Sequence, residues 1–332
     1  MNNTFWLPVI FMALMGLSML LYVLMDGFDL GVGVLLRNAT DEQKDTMIAS
    51  IGPFWDANET WLVLGIGILL VAFPLAHGVI LTALYLPVAL MLAGLTLRGV
   101  AFDFRVKAQA EHKAAWNRIF FGGSLLASLS QGYMLGLHVV GYERTWVNVG
   151  FAALIACGLV AGYALLGAGW LIMKTEGELQ KRAIGWARKS LWVTGIGVAA
   201  VSLMTPLVNA HIFDKWFLMP NLLLLSPIPL LTLVMFVWVE RTLRTLPRAG
   251  DRYCWIPFAG AVGIFLLAFF GLAYSLYPDL VMNRINIWDA ASAPESLMII
   301  LVGTLAVLPV ILGYTIFSYR VFWGKARELT YD

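Results

Sequence analysis

Two short segments place carboxylates inside an otherwise apolar sequence. One, DGFDLGVG, covers residues 26–33, and the other, PFWDANETW, covers residues 53–61. Together they contain four acids: Asp26, Asp29, Asp56 and Glu59. An ionised carboxylate in hydrocarbon is costly, so each acid must be protonated, hydrated or paired. Because burial and a second nearby acid raise the pKa of a carboxyl group, such acids can exchange protons near neutral pH.

Three roles fit these acids. They can line a path that takes protons from the cytoplasm into the membrane. Asp56 and Glu59 can instead lie at the interface and stabilise the start of a helix, where negative charge is favourable. A cation site built from carboxylate and backbone oxygens is the third role. Asp26 and Asp29 lie deeper in an apolar segment, which favours the proton path over the capping role for them.

The composition is that of a membrane protein. The chain has 332 residues, 60% of them hydrophobic and 13% charged, with a mean hydropathy of +0.81. These values exclude a soluble globular chain. A net charge of +2 does not indicate a nucleic-acid partner, and two cysteines provide neither a disulfide framework nor a CxxC metal pair. The N-terminus has no basic region and no cleavage site, which predicts a retained first span.

Apolar runs long enough to cross a bilayer recur along the whole chain. They predict an all-α integral membrane protein with nine transmembrane helices in a single polytopic domain over residues 1–332. The predicted spans are residues 5–36, 53–73, 78–97, 119–140, 147–173, 191–208, 222–239, 255–277 and 297–317.

Lysine and arginine predict the orientation of these spans. Of the 22 basic residues, all but Arg144, Lys215 and Arg284 lie in loops after odd-numbered spans or in the C-terminal tail. The positive-inside rule therefore places the tail in the cytoplasm and the N-terminus outside.

This alternation requires the second acidic segment to enter the membrane. Its purely apolar part, residues 61–73, would form only about 20 Å of helix, which is too short to cross. A helix that starts at Pro53 is about 31 Å long and crosses. Asp56 and Glu59 then lie in its first two turns, three residues apart on one face.

The first span is longer than a bilayer needs, at about 48 Å of helix. Asp26 and Asp29 lie toward its cytoplasmic end, again on one face. Gly27 and Gly31 form a pair of small residues that predicts close approach of a neighbouring helix. No lysine or arginine falls inside the nine predicted spans, so we expect the acids to lack an ionic partner within the chain.

The aromatic and histidine residues add little chemistry. The four histidines form no pair within the membrane that could ligate a haem from both faces, so a redox role requires haems held mainly by a partner. His138 is expected to be an interface residue, and no metal site is predicted. Trp55 stands between Phe54 and Asp56, where it can line a proton path, line a partner's cofactor or pack in the core.

Six motifs are distributed along essentially the full length of the sequence. They are DGFDLGVG from Asp26, PFWDANETWLV from Pro53, RGVAFDFR from Arg98, SQGYMLG from Ser130, KTEGELQKR from Lys174 and YTIFSYRVFWGK from Tyr314. In this order the motifs resemble subunit II of cytochrome bd-type quinol oxidases, and the compact loops resemble the cyanide-insensitive branch of that family.

The resemblance implies a complex in the bacterial inner membrane. Subunit I, of similar fold, would carry haems b558, b595 and d and the quinol site. The complex would oxidise quinol and reduce oxygen to water, using cytoplasmic protons without pumping, and this chain alone would have little or no activity. Each subunit would form two four-helix bundles and one peripheral helix. Small single-span subunits and a structural quinone in this chain occur in some members.

The resemblance also implies roles for individual residues. The carboxylates of the family's proton path match Asp26 and Asp56, and a weaker correspondence extends to Asp29, Asn58 and Glu59. Two other functions use the same features of the sequence. One is a secondary ion transporter based on the carboxylates, and the other is a scaffold that only stabilises its partner.

Overall fold

The structure is a computed structural model that describes residues 3–326, with side chains described for residues 5–109, 111–248 and 250–326. The described part is almost entirely helical. Its α-helices are α1 (Asn3–Leu35), α2 (Asp41–Ile51), α3 (Trp55–Ala72), α4 (Pro74–Lys107), α5 (Ala110–Val139), α6 (Trp146–Lys174), α7 (Gly177–Val208), α8 (Ala210–Phe217), α9 (Asn221–Leu225), α10 (Pro227–Thr245), α11 (Ile256–Leu276), α12 (Ile287–Ala290) and α13 (Pro294–Val321). Short 3-10 helices cover Leu36–Asn38 and Ala249–Asp251, and strands β1 (Asp279–Val281) and β2 (Ile285–Asn286) form an antiparallel hairpin.

Eight helical segments of the described chain are long and apolar enough to cross a membrane. They correspond to every predicted span except the fourth, residues 119–140. That segment lies within α5, whose 30 residues are about 45 Å long. Ser124, Ser128, Ser130 and Gln131 make α5 less apolar, and the three serines are buried. Helix α5 packs against α1, α4 and α6, so its polar residues face other helices.

Helix α4 differs from its predicted span in a way that changes the site. The apolar run ends at residue 97, but α4 continues to Lys107 because residues 98–107 contain no proline and Arg105 and Lys107 suit the last turn of a helix. Arg98 and Arg105 therefore lie inside the helix, with 1% and 4% of their surface exposed. Arg98 was expected in a loop. That expectation is wrong.

Close packing of α1 on α6 depends on two glycines, as their spacing predicts. A Cβ atom on Gly27 would lie 2.7 Å from Cε1 of Tyr163, and one on Gly31 would overlap the carbonyl oxygen of Tyr163. At the same contact, Phe28 stacks on Trp170 with ring centroids 4.2 Å apart. The predicted close approach of a neighbouring helix is confirmed.

Replacing Gly31 by alanine is expected to destabilise the protein by about 1–3 kcal/mol, because the methyl group forces α1 and α6 apart. The change should appear as a lower thermal unfolding midpoint of the purified complex. Gly158→Ala is the matched control, because a Cβ atom at Gly158 of α6 meets nothing within 4 Å. Equal midpoints for the two variants would show that the α1–α6 contact is not tight.

The chain between α1 and α3 folds back beneath the bundle through α2. Thr40 begins α2 with a capping box, in which its side chain and that of Gln43 bond each other's backbone N–H groups. The indole N–H of Trp170 donates to the carbonyl of Ser50 at the other end of α2. This return places the start of α3 beside the last turns of α1. We call this end of the bundle, which carries α2 and most of the basic residues, the basic end.

Helix α13 is peripheral, and among its described residues Leu297 is the one that is buried. Its final turn is tied to the basic end by the tail that follows it. Lys174 donates to the carbonyl of Phe322 at 2.7 Å, and Lys325 pairs with Asp251. Burial alone would raise the pKa of Asp251, but hydrogen bonds from Lys325 and Gln180 lower it. These contacts hold the end of α13 against α1, α3 and α6.

Candidate functional site

The two acidic segments meet at the basic end, where α1, α3 and α4 come together. Asp26 and Asp29 are supplied by α1, Asn58 and Glu59 by α3, and Arg98 by α4. Both aspartates are 0% exposed, and Asn58 is also buried. These five residues are called the acid–arginine cluster.

Arg98 is an ionic partner of the acids within the chain. Its Nη2 lies 2.7 Å from Oδ1 of Asp26, and Nη2 also pairs with Oε1 of Glu59. The expectation that the acids lack an ionic partner within the chain is therefore wrong. The physical cause is that α4 continues beyond the apolar run, so that Arg98, the first residue after this run, lies inside the helix with its guanidinium buried.

The cluster has more acids than it has positive charge. Asp26, Asp29 and Glu59 face a single guanidinium, that of Arg98. Like charges in a buried site cannot all remain ionised, so carboxylates in such a group share protons. The arrangement can therefore hold a proton and pass it between neighbouring carboxylates.

Asp29 is connected to the peripheral helix through Asn58. The amide nitrogen of Asn58 donates to Oδ2 of Asp29 at 2.7 Å and to the carbonyl of Met25 at 3.3 Å. The hydroxyl of Tyr319 on α13 donates to the amide oxygen of Asn58 at 3.1 Å. The family resemblance implied only a weak role for Asn58, but the side chain of Asn58 joins α1, α3 and α13.

Exposure falls stepwise from the surface to the cluster. Asp56 is exposed at the start of α3, and the side chain of Glu59 is 26% exposed. Asp26 and Asp29 are fully buried. Asp56 makes no ion pair or hydrogen bond with the side chains that the structure describes, but it is near enough to Glu59 to interact with it electrostatically. The structure thus places Asp56 outside the cluster, one helical turn before Glu59.

Trp55 forms one wall of the cluster. The guanidinium carbon of Arg98 lies 6.0 Å from the centre of its ring, and Phe102 packs against the same ring at a centroid distance of 5.1 Å. Both contacts pack Trp55 against α4.

Several polar atoms of the cluster lack a hydrogen-bond partner among the described residues. They are both carboxylate oxygens of Asp26, Oδ1 of Asp29, and Nε and Nη1 of Arg98. Arg98 is close to Asp26 but not aligned with it as a hydrogen-bond donor. Buried polar atoms in folded proteins are nearly always satisfied, often by ordered water. The cluster therefore has the donors and acceptors of an internal water site.

The histidines do not form a buried ligand pair in the described chain. Nδ1 of His138 lies 2.6 Å from the hydroxyl of Tyr142, whereas His112 is exposed near the opposite end of α5. The described part also contains no group of three His, Cys, Asp or Glu residues that could hold a metal ion. These side chains do not fit a haem site.

Two features of the sequence mark residues that were not predicted as part of the site. Arg98 and Arg105 are seven residues apart on one face of α4, and both are buried. Arg105 pairs with Asp45 at 2.7 Å and bonds Asn117. The second feature is Tyr319, a residue with a polar hydroxyl group near the end of the last apolar run. Its contact with Asn58 spans 261 residues and depends on the fold.

Comparisons with known proteins agree with this architecture. A model of the family described as cytochrome bd terminal oxidase subunit II matches residues 7–322. The chain is 28% identical over 367 residues to the cytochrome bd-I ubiquinol oxidase subunit 2 of Escherichia coli strain K12, covering 97% of this chain and 96% of that protein. It is 26% identical over 322 residues to the cytochrome bd ubiquinol oxidase subunit 2 of Bacillus subtilis strain 168, covering 91% of each.

A chain in the solved structure of the bd oxidase from Geobacillus thermodenitrificans has the same fold, with a TM-score of 0.63. The match covers 96% of this chain and 100% of that one at 8% identity, so it supports the fold alone. The family match, by contrast, covers nearly the whole sequence, including both acidic segments and Arg98. The chain belongs to the cytochrome bd terminal oxidase subunit II family.

Proposed function

We propose that this subunit conducts protons from the cytoplasm to the oxygen-reducing centre of a quinol oxidase. Quinol supplies the electrons, and the reduction of oxygen to water consumes protons that must reach a site inside the membrane. The observation that carries the proposal is the buried acid–arginine cluster, whose three carboxylates share one guanidinium. Ionisable residues buried within membrane spans are commonly functional because they are costly to keep.

The proposed path follows the fall in exposure. Asp56 collects protons at the surface, Glu59 links the surface to the interior, and Asp26 receives the proton beside Arg98. The pairing of Glu59 with Arg98 supports a role for Glu59 beyond stabilising the start of α3. Asp29, held by Asn58, is a second buried acceptor next to Asp26. Water at the unpartnered polar atoms would complete the connections.

We place the haems and the quinol site in subunit I. When bound there, the haems supply electron transfer and the binding of oxygen. The residues described in this chain position and supply protons, and its histidines do not form a buried ligand pair. The small single-span subunits and the structural quinone stay predictions.

We propose nine spans in the bacterial inner membrane, with α5 as the span that composition alone does not identify. The basic end then faces the cytoplasm, as the positive-inside rule predicts. In this orientation the exposed Asp56 contacts the cytoplasm, and Asp26 lies inside the membrane. The alternation of basic loops along the chain supports this arrangement.

Replacing Glu59 by glutamine is expected to slow oxygen consumption with excess quinol by on the order of tenfold, because the link between the surface and Asp26 loses its proton carrier. Haem content of the purified complex should not change. Glu178→Gln, an exposed acid on α7, is the control. Turnover equal to that of the unmodified complex would remove Glu59 from the path.

A further inference from the structure

A second polar network lies on the inner side of Asp26, away from the proposed entrance. The hydroxyl of Tyr163 on α6 donates to Oε1 of Gln131 on α5 at 2.7 Å. The amide nitrogen of Gln131 in turn donates to the hydroxyl oxygen of Tyr22 on α1 at 2.6 Å. Tyr22 is 3% exposed and Tyr163 is 0% exposed. We call these three residues the tyrosine–glutamine chain.

The direction of these hydrogen bonds determines where the proton of Tyr22 points. The hydroxyl group of Tyr163 has one proton, which it donates to Oε1 of Gln131. Because the amide oxygen of Gln131 is thereby an acceptor, its nitrogen donates to the oxygen of Tyr22. The oxygen of Tyr22 accepts that bond, so its own proton must be directed to another acceptor.

Asp26 offers such an acceptor. It lies four residues after Tyr22 on the same face of α1, and it is fully buried. Neither of its oxygens accepts a hydrogen bond of good geometry from the described side chains. A free hydroxyl proton and an unpartnered carboxylate therefore lie one helical turn apart, in a region where each unpaired polar atom is costly.

We propose that Tyr22 is a positioning residue of the proton path, directed by Gln131 and Tyr163 to donate its hydroxyl proton to Asp26. This inference rests on the proposed function. The amide of Gln131 is a poor proton carrier. The tyrosine–glutamine chain therefore orients Tyr22 and does not itself conduct protons. The hydrogen bond from Tyr22 determines how strongly Asp26 holds the proton that arrives from Glu59.

The other groups that face Asp26 come from four more helices. Asp29 lies on α1 with Tyr22, Glu59 on α3, Arg98 on α4, Tyr163 on α6 and Tyr319 on α13. Arg98 contacts Asp26 from α4, and Tyr22 lies one helical turn before Asp26 on α1. The carboxyl group of Asp26 therefore has both a positive charge and a neutral donor as neighbours.

The experiment is infrared difference spectroscopy of the assembled complex, at a pH low enough to protonate Asp26. The C=O stretching band of Asp26 is identified by its absence in Asp26→Asn. In Tyr22→Phe this band should shift to higher frequency, because the carbonyl loses a donor. Turnover of this variant should fall by about threefold to tenfold with haem content unchanged.

Gln131→Met tests the orienting role, since Gln131 is the residue through which Tyr163 acts on Tyr22. We expect the same band shift as in Tyr22→Phe, and no further shift in the double variant. Tyr133→Phe is the matched control, because Tyr133 is on α5 with Gln131 but does not belong to the tyrosine–glutamine chain. A band that stays in place in Tyr22→Phe overturns the proposal. The band reports the Tyr22 contact whether or not protons pass through Asp26, so this failure is distinct from failure of the proton path.

Discussion

Replacing Arg98 by glutamine is expected to lower the stability of the assembled complex by about 3–5 kcal/mol. The guanidinium is 1% exposed and pairs with a carboxylate that is 0% exposed. Removing one partner of a buried ion pair leaves the other charge without compensation, which costs more than the pair itself contributes. The measurement is the yield and thermal unfolding midpoint of the purified complex.

A second substitution should partly reverse this loss. In Arg98→Gln with Asp26→Asn, the charge that Arg98 compensated is also removed, so the midpoint should rise above that of the single variant. Arg118→Gln is the control because Arg118 is an exposed arginine on α5. If Arg98→Gln and Arg118→Gln unfold at the same temperature, then Arg98 does not neutralise the cluster.

Replacing Asp26 by asparagine is expected to slow quinol oxidation by on the order of a hundredfold. Asparagine has the shape of aspartate, but its amide cannot take up and release a proton as a carboxylate does. The proton path is therefore interrupted before it reaches the interior of the membrane. Arg98 keeps its pairing with Glu59, and assembly should survive. Oxygen consumption with excess quinol measures the effect, and the visible spectrum measures the haem content.

Two further variants locate this effect within the chain. Asp56→Asn should also slow turnover, although less, because Asp56 is exposed and water can partly replace it. Asp41→Asn, an exposed acid on α2, should have no effect. Full turnover in both Asp26→Asn and Asp56→Asn would exclude the proton path and favour a purely structural role for this subunit.

Much of the fold follows from the distribution of apolar residues, because each crossing must satisfy its backbone internally. The ends of those helices that continue beyond the apolar runs cannot be predicted from this distribution. Helix α7 begins at Gly177, well before its predicted span at residue 191, and its first turns bury one face. Leu179, Ala183, Ala187 and Leu191 recur at intervals of four on that buried face. A hydropathy run does not register such an amphipathic extension, and the end of α4 was missed for the same reason.

The acids of the site were predictable, and their partners were not. Asp26, Asp29 and Glu59 are conspicuous because charge is rare in apolar segments. Arg98 is the first residue after its apolar run, so the sequence predicts that it lies in a loop. Tyr319 meets Asn58 across 261 residues of sequence, and that contact exists only once α13 packs against α3.

The most direct test of the account is proton uptake by the complex in liposomes, followed with a pH indicator on the cytoplasmic side of the protein. The complex is reduced with quinol and mixed with oxygen, and proton uptake and haem oxidation are recorded together. The account predicts that Asp26→Asn slows proton uptake strongly while the first transfer of electrons to oxygen keeps its rate. Proton uptake in Asp26→Asn at the rate of the unmodified complex would contradict it.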